Sequence, residues 1–259
     1  MLIKINKSGI IWLALATVLM IGTRATVCAQ TIKVAAAANL QSVINVLGDD
    51  FKQQTGISIE PIVSSSGKLV AQISNGAPYD IFLSADMEFP QKLATDGFAE
   101  KPPIVYALGS LIICSSQNIN LKNWDKLLLT DQVKKIAIAN AATAPYGRAA
   151  EESLKKMDLL DKVKDKMVYG ESISQVNTYI VTGVATVGFT SQSLVMDPSN
   201  HSAMQWQLVD PKTYTPIQQG MVLIKQKPGP NAKAAAAFFK YMQSGSAKSI
   251  LKRYGYLIP

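Results

Sequence analysis

Three observations in the sequence predict an α/β fold in two domains, with the first domain discontinuous. Short continuous apolar runs of strand length alternate with stretches whose apolar residues recur at helical spacing. Several of the strand-length runs end in a small polar turn that opens the next helical stretch. The pattern restarts after Gly109-Ser110, and near residues 211–218 the chain returns to a last strand and two closing helices. Two crossings between blocks give residues 30–109 with 218–259 as one domain and 110–217 as the other.

Residues 1–29 read as a cleavable export signal: Lys4 and Lys7, an apolar run over 10–21, then Val27-Cys28-Ala29 as a small-residue cleavage site. The mature chain then begins at Gln30 or Thr31. The apolar run is short for a membrane span and is followed by Gly22-Thr23-Arg24. Lipid anchoring through Cys28 is the alternative, although Val27 fits that pattern poorly. The signal carries three positive charges and no negative one, so its removal lowers the formal charge from +8 to +5. Such mild basicity helps to steer anions, but without a dense Lys/Arg stripe it points away from nucleic acid. Cys114 stands alone after cleavage, in the apolar run 111–114, which excludes a disulfide framework and reads as a buried inert thiol.

The first unit is a strand over 32–37, ending in Ala38-Asn39, then a helix with Leu40, Val43, Ile44, Leu47 and Phe51 on one face, stopped by Gly56. A strand over 57–63 follows and delivers the chain to Ser64, Ser65, Ser66 and Gly67. Here a helix start supplies unpartnered N–H groups and partial positive charge, serine hydroxyls add donors, and Gly67 would let a ligand approach the main chain. Ordinary helix capping is the alternative for both Asn39 and the serines. Gly67-Lys68 is no phosphate loop, since Ile62 stands where that motif needs glycine and Leu69 where it needs Ser or Thr. Leu69, Val70 and Ile73 line the helix, Asn75-Gly76-Ala77-Pro78 breaks it, and a strand over 79–83 leads to a helix over 86–95 capped by Ser84 or Asp86.

Strands over 105–108 and 111–114 flank the first crossing. In the second block a strand over 136–139 gives way to a small-residue loop, and Pro145-Tyr146-Gly147 approaches a helix through Ala150, Leu154 and Met157. A strand over 167–169 precedes a helix opening near Ile173 and ending at Gly183, and a buried strand over 184–189 ends in Thr190-Ser191. Main-chain amides and hydroxyls at Tyr146, Ile173 and Ser191 thus join Asn39 and Ser66 at strand ends, where open α/β sheets bind small ligands. The last strand covers 221–224, followed by helices over 232–242 and 247–254.

Several stretches together resemble the periplasmic molybdate-binding proteins of ABC importers. They are VAAAANL at 34–40, SSSGKLVAQISNGAPYDIFLSAD at 64–86, NAATAPYGRAAEESL at 140–154, GVATVGF at 183–189 and KRYGYLIP at 252–259. The resemblance implies a type II periplasmic-binding-protein fold closing on molybdate or tungstate, no cofactor, a membrane permease as partner and a periplasmic monomer. It implies ligand contacts from Asn39, Ser66, Tyr146 and the Ile173 backbone N–H, with Ala38 and Ser65 as neighbours. Many members have serine where Asn39 stands, and a tyrosine ligand where this chain has Ser191. Tyr146 is expected to take over that tyrosine's role, with Ser191 ranked last. Sulfate is the nearest competing ligand. An enzyme reading, a serine hydrolase using Ser65 or Ser66, has only His201 as a histidine base, in a Pro-Ser-Asn-His-Ser loop, and no G-x-S-x-G elbow. No His, Cys or carboxylate cluster has metal-ligand spacing.

Overall fold

β1 (Thr31–Ala37) is the strand around which the first sheet is built. Ile32, Val34 and Ala36 pack into one apolar cluster and Ala35 into another, so both faces of the strand are covered and its sequence shows no polar alternation. The computed structural model describes residues 30–198, 204–225 and 229–259. The export signal with Cys28, and His201, lie outside the described residues.

β1 pairs in parallel with β2 (Ser58–Ser64) and β3 (Ile81–Leu83). β10 (Ile217–Leu223) runs antiparallel to both β3 and β4 (Ile104–Gly109), completing a sheet of order β2-β1-β3-β10-β4. The second sheet repeats this plan. β6 (Ile136–Ala139) is parallel to β7 (Met167–Gly170) and β8 (Val187–Ser191), and β5 (Leu111–Ser115) lies antiparallel to β8 and β9 (Gln205–Leu208), giving β7-β6-β8-β5-β9. Gly109 ends β4 in one sheet and Ser110 alone separates it from β5 in the other, and the chain returns between β9 and β10.

The helices are α1 (Ile44–Thr55), α2 (Ser66–Ser74), α3 (Glu88–Thr95), α4 (Trp124–Leu127), α5 (Pro145–Lys156), α6 (Leu160–Val163), α7 (Ile173–Val181), α8 (Ser193–Met196), α9 (Pro230–Tyr241) and α10 (Gly245–Arg253). α1 buries Ile44, Leu47 and Phe51 against α9 and α10, and Gly56 closes it at φ 74°, a left-handed conformation that glycine adopts without a Cβ penalty. α2 buries Leu69, Val70 and Ile73 on the opposite face of the same sheet.

Some boundaries differ from expectation. Residues 38–40 form a separate 3-10 turn, and α1 starts only at Ile44, although Leu40 and Val43 are buried as expected. β3 starts two residues later than expected because the Tyr79 N–H is turned back onto the Ala77 carbonyl. β8 begins at Val187, since Val184 is exposed and Ala185 is tied to Tyr179 at the end of α7. β9 has no counterpart in the sequence reading, as its mostly exposed Gln-Trp-Gln-Leu lacks a buried run. α3 starts at Glu88, with Asp86 Oδ1 accepting from the Phe89 N–H at 3.2 Å. Cys114 is fully buried in the second core, where burial pushes its thiol up to about 12 and leaves it protonated at neutral pH.

Candidate functional site

Two adjacent strands in each sheet end at the same place. β1 hands over to the turn Ala38–Leu40 and β2 to α2, while β6 leads to α5 and β7 to α7. Between these ends lies a very small cavity of about 10 Å³. One wall is Ala37, Ala38, Asn39, Ser65, Ser66 and Ala85, and the other is Ala144, Pro145, Tyr146 and Ile173. Six of the seven residues singled out in the sequence therefore meet here, from segments up to 135 positions apart. All six are buried.

The capping alternative for the serines is not what the structure contains. Ser65 precedes α2, but its hydroxyl accepts nothing from the helix N–H groups. It is instead one of three buried side-chain polar atoms without a hydrogen-bond partner among the described residues, the others being Asn39 Oδ1 and Asp86 Oδ2, the last of which stands 3.8 Å from the Arg148 guanidinium. Leaving a buried polar group unsatisfied costs about 1–3 kcal/mol, so two such atoms at one cavity mark a place that ligand groups would complete. Ser66 Oγ accepts from the Ala85 N–H at 3.1 Å, which leaves its own proton free to donate. Asn39 caps no helix either. Its Nδ2 donates to Gln219 Oε1 at 2.9 Å and to the Tyr256 hydroxyl at 3.1 Å.

The second wall contributes main chain. Pro145 and Tyr146 are the first two residues of α5, and Ile173 is the first of α7. N–H groups in a first turn have no intrahelical partner, and helix starts carry partial positive charge. In α7 the Ser172 hydroxyl accepts from the Gln175 N–H, so the cap leaves the Ile173 amide unclaimed. Three helices of nine residues or more, α2, α5 and α7, thus begin at the cavity.

Three expectations need correction. The Tyr146 hydroxyl accepts from Gln219 Nε2 at 3.1 Å and lies against Gly109, neither of which lines the cavity, so the residue's free donor there is its amide. Ser191 is buried outside the wall: its Oγ is 2.8 Å from Ser193 Oγ, and Ser193 donates to the Asn39 main-chain oxygen at 2.8 Å. Gly67 opens no main chain to a ligand. Its N–H donates to the Thr143 carbonyl at 3.0 Å, and a Cβ would stand 3.0 Å from Thr143 Cα, so glycine here lets the two walls touch.

No charged residue lines the cavity. Ion pairs sit on the rim, where Lys68 meets Glu171 and Arg148 meets Glu88, each joining the body of one sheet to the other. The one titratable group in the wall is the Tyr146 phenol, which burial pushes well above its ordinary range, with the Tyr256 and Tyr106 hydroxyls adding to the shift. The residues missed in the sequence stand behind the wall: Gln219, Tyr106, Tyr256 and Ser193. Gln219 sits just before the apolar end of β10, beside Gln218 and Gly220, and no local pattern singles it out.

The chain matches the family described as bacterial extracellular solute-binding protein over residues 32–257. It is 34% identical over 245 residues to the molybdate-binding protein ModA of Rhodobacter capsulatus, a match covering 94% of this chain and 95% of that protein. To ModA of Azotobacter vinelandii it is 32% identical over 229 residues, covering 88% and 90%. The solved structure of the Azotobacter vinelandii periplasmic molybdate-binding protein aligns with a TM-score of 0.83 at 32% identity, over 88% of this chain and 99% of that one. Two mixed sheets flanked by helices are the α/β architecture expected from the resemblance. With the match running through nearly all of the described residues, the chain belongs to the family of bacterial extracellular solute-binding proteins.

Proposed function

We propose that the chain is an extracytoplasmic receptor that binds molybdate, and tungstate with it, and delivers the oxyanion to the membrane permease of an ABC importer. The observation that carries this reading is a small cavity walled by neutral donors and helix starts, with the Ser65 hydroxyl buried and unpartnered beside it. Stripping water from a dianion is expensive, and several charge-assisted hydrogen bonds of about 1.5–3 kcal/mol each are needed to replace it. Asn39, the hydroxyls of Ser65 and Ser66, and the amides of Tyr146 and Ile173 are the donors assigned to that role, with Ala38 packing beside them.

The receptor works as two lobes, 30–109 with 218–259 and 110–217, which close on the anion and reopen to release it. It acts as a monomer in the periplasm, exported by a signal over residues 1–29. A receptor rather than a hydrolase is the reading that the family match supports.

Purified chain titrated with molybdate, tungstate, sulfate and phosphate, followed through Trp124 and Trp206 fluorescence, is the direct test. Molybdate and tungstate are expected to saturate the signal at concentrations where sulfate does not, and equal responses would remove the specificity. Ser66→Ala is expected to weaken molybdate binding by about 1–3 kcal/mol while leaving the unfolding midpoint nearly unchanged; an unaltered affinity would exclude Ser66 from the contacts. With its one titratable wall group pushed upward, molybdate affinity is expected to stay flat from about pH 6 to about pH 9. A steep change in calorimetric titrations across that range would place an ionising group in the cavity.

A further inference from the structure

We propose that Gln219 is a positioning residue that sets which end of the Asn39 amide faces the ligand, and so whether the site takes a fully deprotonated or a protonated oxyanion. The proposal rests on the reading that Asn39 touches the bound anion.

Gln219 is fully buried on β10, at the irregular step where β10 pairs with β4, and it touches both sides of the cleft. Its Oε1 accepts from Asn39 Nδ2 and from the Tyr106 hydroxyl, both at 2.9 Å, and its Nε2 donates to the Tyr146 hydroxyl at 3.1 Å. In this arrangement both Asn39 protons are drawn behind the wall, to Gln219 and Tyr256. The Asn39 oxygen is then the amide atom left without a partner, and the Tyr146 proton has no acceptor among the described residues. An outward-facing carbonyl oxygen repels a dianion. It suits only an anion that still carries an O–H.

An amide turned by 180° exchanges oxygen and nitrogen with little change of shape. If Asn39 and Gln219 turn together, both defects vanish, and the one hydrogen bond that must be redirected is that from Tyr256 to the Asn39 main-chain oxygen at 2.7 Å. Gln219 Nε2 then donates to Asn39 Oδ1 and to the Tyr106 oxygen, while Tyr106 donates to the Ser84 carbonyl, 3.3 Å away. Gln219 Oε1 accepts the Tyr146 proton. Tyr256, which donates to the Asn39 main-chain oxygen at 2.7 Å, turns that proton to Asn39 Oδ1 and leaves the main-chain oxygen to Ser193 at 2.8 Å. Asn39 Nδ2 now faces the cavity as an unpartnered donor, which a fully deprotonated oxyanion satisfies. Glutamine is required for this switch because its two amide ends exchange; a group that only accepts would hold Asn39 with its oxygen outward.

The test is a double-mutant comparison on the full chain by calorimetric titration with molybdate and with inorganic phosphate at neutral pH. Gln219→Glu is expected to lower molybdate affinity about tenfold more in the native background than in the Asn39→Ser background, where a hydroxyl rotates without help. The added charge acts in both backgrounds, so the difference between them isolates the amide. The ratio of molybdate to phosphate affinity is expected to fall in the Gln219→Glu chain and to change little in the double variant. Equal losses in the two backgrounds with an unchanged ratio would overturn the proposal. Should the charge prevent folding, judged by circular dichroism melting, Gln219→Met carries the same comparison, with equal losses again overturning it. Failure of the unaltered chain to bind molybdate would instead overturn the receptor reading, a result visible before any variant is made.

Discussion

Replacing Gly147 by alanine is expected to remove about 3 kcal/mol or more of folding stability and tight molybdate binding along with it. A Cβ on Gly147 would stand 2.1 Å from the Ala139 carbonyl oxygen and 2.6 Å from its carbon. Both atoms are main chain at the end of β6, and no side-chain rotation relieves them. α5 would have to lift from the sheet, carrying the Tyr146 amide and Pro145 out of the cavity wall. Urea unfolding followed by circular dichroism reads the stability loss, and calorimetric titration reads the binding loss. Wild-type values in both would mean that α5 does not need this close approach.

Phe51→Ala is expected to reduce stability by about 3–5 kcal/mol while the folded protein keeps its affinity for molybdate within about twofold. Phe51 is fully buried, edge-on to Phe238 with ring centroids 5.0 Å apart, and 5.3 Å from the Tyr241 ring. It ties α1 to α9 on the face of the first sheet opposite α2. None of the wall residues belongs to the apolar cluster around Phe51, so the stability and affinity readouts separate. For Gly147 they fall together. Thermal melting with and without molybdate, paired with a titration well below the midpoint, makes the distinction. A large loss of affinity in Phe51→Ala at a temperature where it is fully folded would show that the α1 packing reaches the binding wall.

The contrast between these two positions also explains how much was legible in the sequence. Phe51 belongs to a periodic apolar stripe, and such stripes located α1, α2 and their buried faces. Continuous apolar runs located β1 and β5 for the same reason, because both faces of these strands are covered. β9 escaped since an edge strand with exposed side chains carries no burial signal. Wall residues such as Asn39, Ser65 and Ser66 were legible as small polar groups at strand ends, reinforced by the family resemblance. What those groups do with their hydrogen bonds was not. Whether the Tyr146 hydroxyl faces the cavity depends on a partner 73 positions away, Gln219, and local pattern carries no record of it. Gly67 is the same case, since its nearest neighbour is Thr143, the residue before Ala144 of the opposite wall.

β10 lies between β3 and β4, yet it is separated from β4 in sequence by the whole of the second sheet. A polypeptide that emerges N-terminus first therefore cannot zip the first sheet shut until residues 217–223 arrive, whereas the second sheet has all five of its strands by residue 208. Closing so long a loop late is slow and leaves the β3 and β4 edges bare in the meantime. The order of the strands thus sets a timetable: one half matures early, and the other waits for the final fifth of the chain.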